Sequence, residues 1–323
     1  MRFVIAALVG LLGAATVVLA AKNGGGAGEG WDALTPSELA RTEVGATRIG
    51  DRVYVAGGFI STGRTTGRLE RYDISADRWR RLRSLPIAVN HPGVTALDGR
   101  VYVLGGNLGV VDGRERKSKR LYRYSPARDR WTRLPDAPTP RAALGLVAIG
   151  DRLYAAGGYD ESDQRLRTLE VYDAKRRRWT SGPPMPTGRN HVGAARLGGD
   201  LVVTGGRPGD VNGGMTTVER FDPKARRWSS LPPLGTARSG HAAVVTRGRL
   251  VVFGGEELVQ GGSTIEQVES YDPETRSWSA LPPMITPRHG LGGVARHGRV
   301  YAIEGGPQPG LAYSRAIESL EVR

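Results

Sequence analysis

A short phrase that ends in two glycines occurs six times along this chain. The glycine pairs stand at 57–58, 105–106, 157–158, 205–206, 254–255 and 305–306. A tryptophan precedes each of the first five pairs by 26 residues and the last by 27: Trp31, Trp79, Trp131, Trp179, Trp228 and Trp278. Self-similarity at a period near 50 residues indicates a fold built from stacked, equivalent units. All the variable length lies after the glycine pair, so we predict a variable loop there.

Each copy has the pattern of four short strands. A run such as GVTAL at 93–97 is followed by a two-residue turn of the kind that tight hairpins use, and then by a strand that ends at the glycines. A strand such as LEVYD at 169–173 and the tryptophan strand complete the unit. A four-stranded antiparallel unit cannot bury both of its faces alone. Six such units arranged radially would cover one another.

The glycine pair, a downstream Tyr-Asp such as Tyr172-Asp173 and a tryptophan seven residues after the tyrosine together resemble the kelch repeat. The resemblance covers residues 31–323 and implies an all-β, six-bladed kelch-type β-propeller, each blade a four-stranded antiparallel sheet. The last copy ends in LEVR without a tryptophan. We therefore predict that an N-terminal strand around Trp31 joins the last blade and closes the ring, which also removes unpaired sheet edges.

The first thirty residues differ from the repeats. Arg2 precedes an apolar run from Phe3 to Ala21, and the small residues that end at Ala20 suit cleavage by signal peptidase. The same run is long enough for an uncleaved transmembrane anchor. We predict a signal peptide or anchor at 1–21 and a glycine-rich linker at 22–30. The protein would then be periplasmic, extracellular or tethered to the outer side of the cytoplasmic membrane, with cleavage and retention both open.

Composition excludes several classes of function. The chain has no cysteine, which removes disulfides, cysteine-ligated zinc and thiol nucleophiles. The net charge is +14, but no segment has the spacing of a nucleic-acid-binding module. We predict no cofactor, no nucleic-acid partner and a monomeric protein.

In propellers of this kind, the loop before the innermost strand and the loop after the glycine pair open around the channel mouth. The residues ten positions after each tryptophan sample the first loop: Arg41, Val89, Arg141, Arg189, Arg238 and Arg288. Five arginines in such a ring could bind a carboxylate, a phosphate or an acidic sugar. The alternative is that an arginine recurring in each repeat belongs to the scaffold and bonds to the backbone. The sequence leaves both open.

Polar residues follow these arginines at positions eleven to thirteen after the tryptophans: Asn90, His91, Asn190, His191, His241 and His289. We expect His91, Asn190, His191 and His289 to add donors to the ligand site. Because the histidines are scattered over three positions, we predict no shared metal site.

The sixth copy reads AIEGG, with Glu304 before the glycines. We interpret it as a one-residue insertion, a β-bulge at the strand end. A carboxylate beside an arginine ring could act as an acid or a base, which makes Glu304 the candidate catalytic residue. Neutral divergence of the repeat, or an ion pair with Arg288, is the alternative.

Three functions remain open. The first, which we favour, is an exported, non-catalytic binding propeller whose mouth holds an acidic glycan, a carboxylate or a protein partner. The second is an enzyme similar to sialic-acid mutarotases, with Arg238 and Arg288 on the sugar carboxylate and Glu304 moving the proton. The third is a structural scaffold. Copper radical oxidases similar to galactose oxidase are excluded, because their cofactor needs a cysteine bonded to a tyrosine.

Overall fold

The computed structural model describes residues 30–111, 114–209, 213–259 and 261–323. The predicted signal peptide or anchor, and the linker up to residue 29, lie outside these residues. Across the described ranges the secondary structure is β throughout, and none of it is a helix with the length and apolar character needed to cross a bilayer.

The strands are short, as the repeat pattern predicts. The first seven are β1 (Trp31–Ala33), β2 (Arg41–Thr42), β3 (Gly45–Ile49), β4 (Arg52–Ala56), β5 (Phe59–Ile60), β6 (Leu69–Asp73) and β7 (Arg78–Arg81). Next come β8 (Gly93–Leu97), β9 (Arg100–Leu104), β10 (Asn107–Val111), β11 (Arg114–Lys117), β12 (Leu121–Ser125), β13 (Arg130–Leu134), β14 (Gly145–Ile149), β15 (Arg152–Ala156), β16 (Leu169–Asp173) and β17 (Arg178–Ser181). The last are β18 (Gly193–Leu197), β19 (Asp200–Thr204), β20 (Val218–Asp222), β21 (Arg227–Leu231), β22 (Ala242–Thr246), β23 (Arg249–Phe253), β24 (Glu256–Glu257), β25 (Ser263–Thr264), β26 (Val268–Asp272), β27 (Ser277–Leu281), β28 (Gly292–Arg296), β29 (Arg299–Ile303) and β30 (Ile317–Glu321).

Six four-stranded antiparallel blades form a closed propeller. From the inside outwards they are β3-β4-β6-β7, β8-β9-β12-β13, β14-β15-β16-β17, β18-β19-β20-β21, β22-β23-β26-β27 and β28-β29-β30-β1. The inner strands contact one another in succession, and β28 contacts β3 to complete the circle. Strand β1 pairs with β30, with Trp31 opposite Leu320. Both the six-bladed fold and the closure of the last blade by the Trp31 strand are therefore confirmed.

Neighbouring blades are joined by backbone hydrogen bonds between the glycine pairs and loop carbonyl groups. In the first five pairs the second glycine donates its N–H to a carbonyl of the next blade, at 2.8–3.0 Å; in blade two, Gly106 donates to Arg141. A Cβ on the first glycine, Gly105, would lie 2.4 Å from that same oxygen. Gly105 and Gly106 also have φ of 71° and 94°. Glycine recurs at these positions because it adopts this backbone without strain and leaves space for so close an approach.

The core is divided into interblade layers. Each of six apolar clusters draws its residues from two neighbouring blades, and the cluster with Tyr172 and Trp179 also contains Leu97 and Tyr102 of the preceding blade. The tryptophans add a polar link, since every indole Nε1 donates to a carbonyl of the preceding blade at 2.8–3.0 Å. Trp31 donates to Pro282, so this outer set of bonds also closes.

Replacing Trp31 tests the closure. Its side chain is buried and packs edge-on against Phe253 at 5.6 Å. We expect Trp31→Ala to lower the free energy of unfolding by about 3–5 kcal/mol, as for other buried aromatic truncations. Urea denaturation followed by circular dichroism measures it. The control Asp32→Ala, an exposed position on the same strand, should cost under about 1 kcal/mol. Equal stability of the two variants would contradict the closure.

Candidate functional site

The five arginines that we expected around the channel mouth lie inside the blades. Their side chains are 0 % exposed. Each pairs with a glutamate on the third strand of its own blade, at N–O distances of 2.6–3.0 Å: Arg41–Glu70, Arg141–Glu170, Arg189–Glu219, Arg238–Glu269 and Arg288–Glu318. Each guanidinium also donates to backbone carbonyls, as Arg141 does to Gly157 at 3.1 Å. The sequence left open whether these arginines bind a ligand or belong to the scaffold. Their burial and pairing support the scaffold role.

The second blade lacks this arginine–glutamate pair, and the way the pair is replaced supports a scaffold role. Val89 stands where the other blades have arginine, and Tyr122 stands where they have glutamate. Both side chains are buried in the same apolar cluster, Val89 completely. The charged pair has thus been replaced by an apolar pair as a unit. This is expected if the two members serve each other, because either charge alone would be buried without a partner.

Glu304 occupies the place of a first glycine, which corrects the predicted insertion. Strands β28, β29 and β30 pair without a register shift, and Ile303 lies opposite Gly292 as Ala56 lies opposite Gly45 in the first blade. Glu304 has a φ of 56°, and Gly305 then donates to Arg41 as a second glycine does. There is no bulge. Counting from the tryptophan rather than from the glycines gives 26 residues here also.

The Glu304 side chain is also buried, at 0 % exposure, and bonds to Arg41 at 2.9 Å. Burial raises the pKa of its carboxyl, while the Arg41 charge opposes the rise. Arg41 therefore bridges two carboxylates, Glu70 in its own blade and Glu304 in the sixth. The predicted pairing with Arg288 is limited to a bond from Arg288 Nε to the Glu304 carbonyl, at 2.8 Å.

The channel mouth is built at the position twelve residues after each tryptophan. The six residues are Glu43, His91, Ala143, His191, Gly240 and Gly290, all with φ between 51° and 62°. Consecutive members are linked by backbone hydrogen bonds of 2.8–3.2 Å, each blade donating to the one before, and Val44 donates to Gly290 to complete the circle. A recess of about 100 Å³ lies at this ring. It has room for an ion or one small polar group.

Glu43 is the centre of the ionisable cluster at the mouth. Its carboxylate lies 3.0 Å from His91 Nε2 and 3.2 Å from His289 Nδ1. Burial alone would raise the pKa of Glu43, but the two histidines hold it well below its usual range. Gly290 makes room for this side chain, since a Cβ there would lie 2.6 Å from the Glu43 carboxyl carbon. The carboxylate is therefore charged and fixed at the channel axis.

Two Asn-His dipeptides orient the mouth histidines. In both blades two and four, the histidine Nδ1 bonds to the side-chain oxygen of the preceding asparagine, at 2.6 Å for His91 and 2.9 Å for His191. Each ring keeps Nε2 for other contacts. The two imidazoles meet edge to face at 4.8 Å between centroids. Burial, aided by the charge of Arg207, lowers the pKa of His191 well below its usual value, so that ring is neutral at pH 7.

A second layer of charges lies behind this cluster. Arg207 pairs with Glu256, and both directly follow a glycine pair. His289 Nδ1 is 3.4 Å from Glu256 and, with Glu43 nearby, its pKa is raised although burial would lower it. Asn107 donates to the Tyr159 hydroxyl at 2.7 Å, and the Tyr159 ring stacks on His191. Among the described residues, Arg207 is the arginine of this mouth cluster.

The structure thus brings together four of the predicted residues, His91, Asn190, His191 and His289, with Asn90 beside them. It separates them from the five arginines and from Glu304. Sequence reasoning missed Glu43, Glu256 and Arg207. A stricter use of the repeat could have found Glu43, which shares its position with His91 and His191. The argument that scattered histidines exclude a shared site also fails here, because two of them are equivalent and the third faces the same carboxylate.

The buried pairs can be tested by converting one blade to the apolar pair of blade two. Arg189→Val leaves Glu219 buried without its partner and should cost about 3–5 kcal/mol of unfolding free energy. The double variant Arg189→Val with Glu219→Tyr should recover at least half of that loss, because the apolar pair fits the same place in blade two. Urea denaturation gives both values. An Arg189→Val protein as stable as the wild type would contradict a scaffold role.

Acidification should destabilise the protein through His241. This ring is buried, bonds to Thr204 Oγ1 at 2.8 Å, and has its pKa lowered well below 6.5 by burial and by the charges of Arg238 and Arg189. The unfolded chain therefore takes up the proton first as pH falls below about 6.5, and stability decreases by up to about 1.4 kcal/mol per pH unit. We expect a shallower loss between pH 7.5 and 5.5 in His241→Gln. Urea unfolding at several pH values measures the loss. An equal change of unfolding free energy with pH in the wild type and His241→Gln would contradict the role of His241.

Comparisons with known proteins agree with this architecture. The family model for the KLHDC2/KLHL20/DRC7 Kelch-repeats domain matches residues 90–306, and the Kelch motif model matches residues 40–86. The solved structure of YjhT superimposes with a TM-score of 0.77 over 88 % of this chain and 95 % of that one, at 15 % identity. At that identity the likeness shows the fold alone.

Curated relatives align over part of the chain. Kelch-like protein terF of Aspergillus terreus is 28 % identical over 131 residues, which are 39 % of this chain and 28 % of that protein. Alpha-scruin of Limulus polyphemus is 27 % identical over 141 residues, 42 % of this chain and 15 % of scruin. The chain spans less than a third of the length of these relatives. With two thirds of its length matched by one kelch model and a kelch motif before it, the chain belongs to the kelch-repeat family.

Proposed function

We propose that the protein is a binding propeller that engages a partner protein with the face that carries the channel mouth. Kelch propellers generally mediate protein–protein interaction. The connections on this face are the loops that follow the glycine pairs and those that lead to the next inner strand. The opposite face has short turns, such as those at 98–99 and 297–298.

The observation that carries the proposal is where apolar surface is exposed. Four large apolar side chains are exposed in the described residues: Val110, Val259, Ile285 and Leu311, at 74 %, 46 %, 59 % and 63 %. All four lie in mouth-face loops, and the last three belong to the fifth and sixth blades and the connection between them. Scattered exposed residues would fall on both faces. Apolar side chains collected on one face favour a docking surface.

A protein partner fits this face better than the acidic ligand that the sequence suggested. Five of the expected arginines are buried and paired, and Arg207 is paired with Glu256. The enzyme hypothesis loses its residues for the same reason, since Arg238, Arg288 and Glu304 do not reach the mouth. Export through residues 1–21 remains part of the proposal, so we expect the partner outside the cytoplasm.

Docking can be tested with matched aspartate substitutions. The full chain serves as bait in its source organism, and cross-linked partners are quantified by mass spectrometry for the wild type, Ile285→Asp, Leu311→Asp and Ala127→Asp. Ala127 is exposed in a turn on the opposite face. Losing a buried Ile or Leu from an interface costs about 1.5–3 kcal/mol, so we expect recovery of the partner to fall about tenfold or more for the first two variants.

The control should behave as the wild type, since substitutions at exposed positions change stability by about 0.5 kcal/mol or less. Partners retained by Ile285→Asp and Leu311→Asp, or lost equally with Ala127→Asp, would contradict docking on the mouth face.

A further inference from the structure

We propose that the channel mouth is a binding site for a divalent transition-metal ion, with Zn²⁺ as the ion to test. The ligands are His91 Nε2, His191 Nε2 and a carboxylate oxygen of Glu43. One ligand atom from each of these residues lies within 4.8 Å of the others. The set is independent of partner docking, because it concerns the axis of the ring rather than the exposed loop residues.

The distances are close to those that zinc requires. A tetrahedral ion about 2.1 Å from its ligands holds two of them about 3.4 Å apart. His91 Nε2 and Glu43 are already at 3.0 Å, and no pair needs to close by more than about 1.4 Å. Small rotations of the imidazole rings supply that movement. The ion would lie between the Glu43 carboxylate and His91 Nε2.

The ligands have the supporting bonds that a zinc site needs. Metal-binding histidines usually hold their second ring nitrogen on a hydrogen-bond acceptor, which fixes the ring and presents the other lone pair. The asparagine oxygens beside His91 and His191 are such acceptors, at 2.6 Å and 2.9 Å. His289 holds the other oxygen of Glu43 at 3.2 Å. The same Asn-His arrangement therefore recurs in blades two and four.

The choice of ion follows from the donors. Two imidazoles and one carboxylate suit zinc and its neighbours, whereas calcium and magnesium prefer sets made of oxygen alone. The site is shielded, with Glu43 and His91 each 11 % exposed. On the other positions of the ring, Ala143, Gly240 and Gly290 have little or no side chain, so the recess stays accessible from the mouth. Three protein ligands leave a fourth position for water or a group from a partner.

Titration of the full chain with zinc, prepared without a histidine tag and in competition with a chromophoric chelator, tests the site. We expect one equivalent bound by the wild type and at least about tenfold weaker binding in His91→Gln and His191→Gln. The matched control is His297→Gln, whose side chain is 67 % exposed in a turn on the opposite face. It should bind zinc as the wild type does.

Circular dichroism shows whether each variant is folded. Should either ligand variant fail to fold, Asn190→Ala keeps all three ligands but releases the His191 ring, and it should weaken zinc binding about tenfold. A wild type that binds no zinc would overturn the proposal. So would folded His91→Gln, His191→Gln or Asn190→Ala proteins that bind zinc as tightly as the wild type. Zinc alone is the probe, so these results do not depend on the docking surface.

Discussion

The structure depends on one close approach, repeated at every junction between blades: a loop carbonyl of each blade lies against the two residues that follow the second strand of the preceding blade. At five junctions the first glycine leaves space for the oxygen and the second donates its N–H to it; at the sixth, Glu304 and Gly305 take these two places. Because the bond runs from blade to blade, no blade is complete until its neighbour is in place. The same holds for the indole bonds at the periphery and the backbone bonds at the mouth. The indole set closes when the Trp31 strand has joined the last blade, and the other two sets close when the sixth blade bonds to Arg41 and Val44 of the first.

Burial separates two groups of charged residues that the sequence places side by side. The arginines ten positions after each tryptophan turn into the blades, where a glutamate and backbone carbonyls satisfy them. The residues two positions later have left-handed backbone conformations and line the axis. Scaffold residues and site residues are therefore only two positions apart in the sequence. The arginines hold the blade edges at the mouth, and this fixes the ring on which Glu43, His91 and His191 stand.

The sequence predicted the fold well because the repeat is a direct record of the contacts between blades. Fixed spacing from Trp79 to the glycines at 105–106 reflects strands of fixed length, and the missing last tryptophan pointed to Trp31. The roles of the arginines were not predictable from their own positions, since their partners lie about thirty residues away on the third strand. The joint change to Val89 and Tyr122 was visible in the sequence and pointed to pairing. Glu304 was misread as an insertion because both residues of the pair were expected to be glycine, whereas Glu304 itself takes the place of the first glycine.

The mouth was only partly predictable for a different reason. Glu43 and His289 differ by one position in the repeat, yet they meet because Gly290 and Gly306 leave space that side chains would fill. Such contacts across the axis depend on the ring as a whole. The exposed apolar residues Val259, Ile285 and Leu311 are likewise unremarkable in sequence. Only the arrangement of the loops shows that they share a face.

We propose that the chemistry of this protein lies on the propeller axis and not at its arginines. Anomalous diffraction at the zinc edge, from crystals of the full chain grown with zinc, tests this most directly. We expect an anomalous peak among His91, His191 and Glu43, with the five buried arginine–glutamate pairs intact. A mouth without a peak, or arginines turned out of their blades toward the channel, would contradict it.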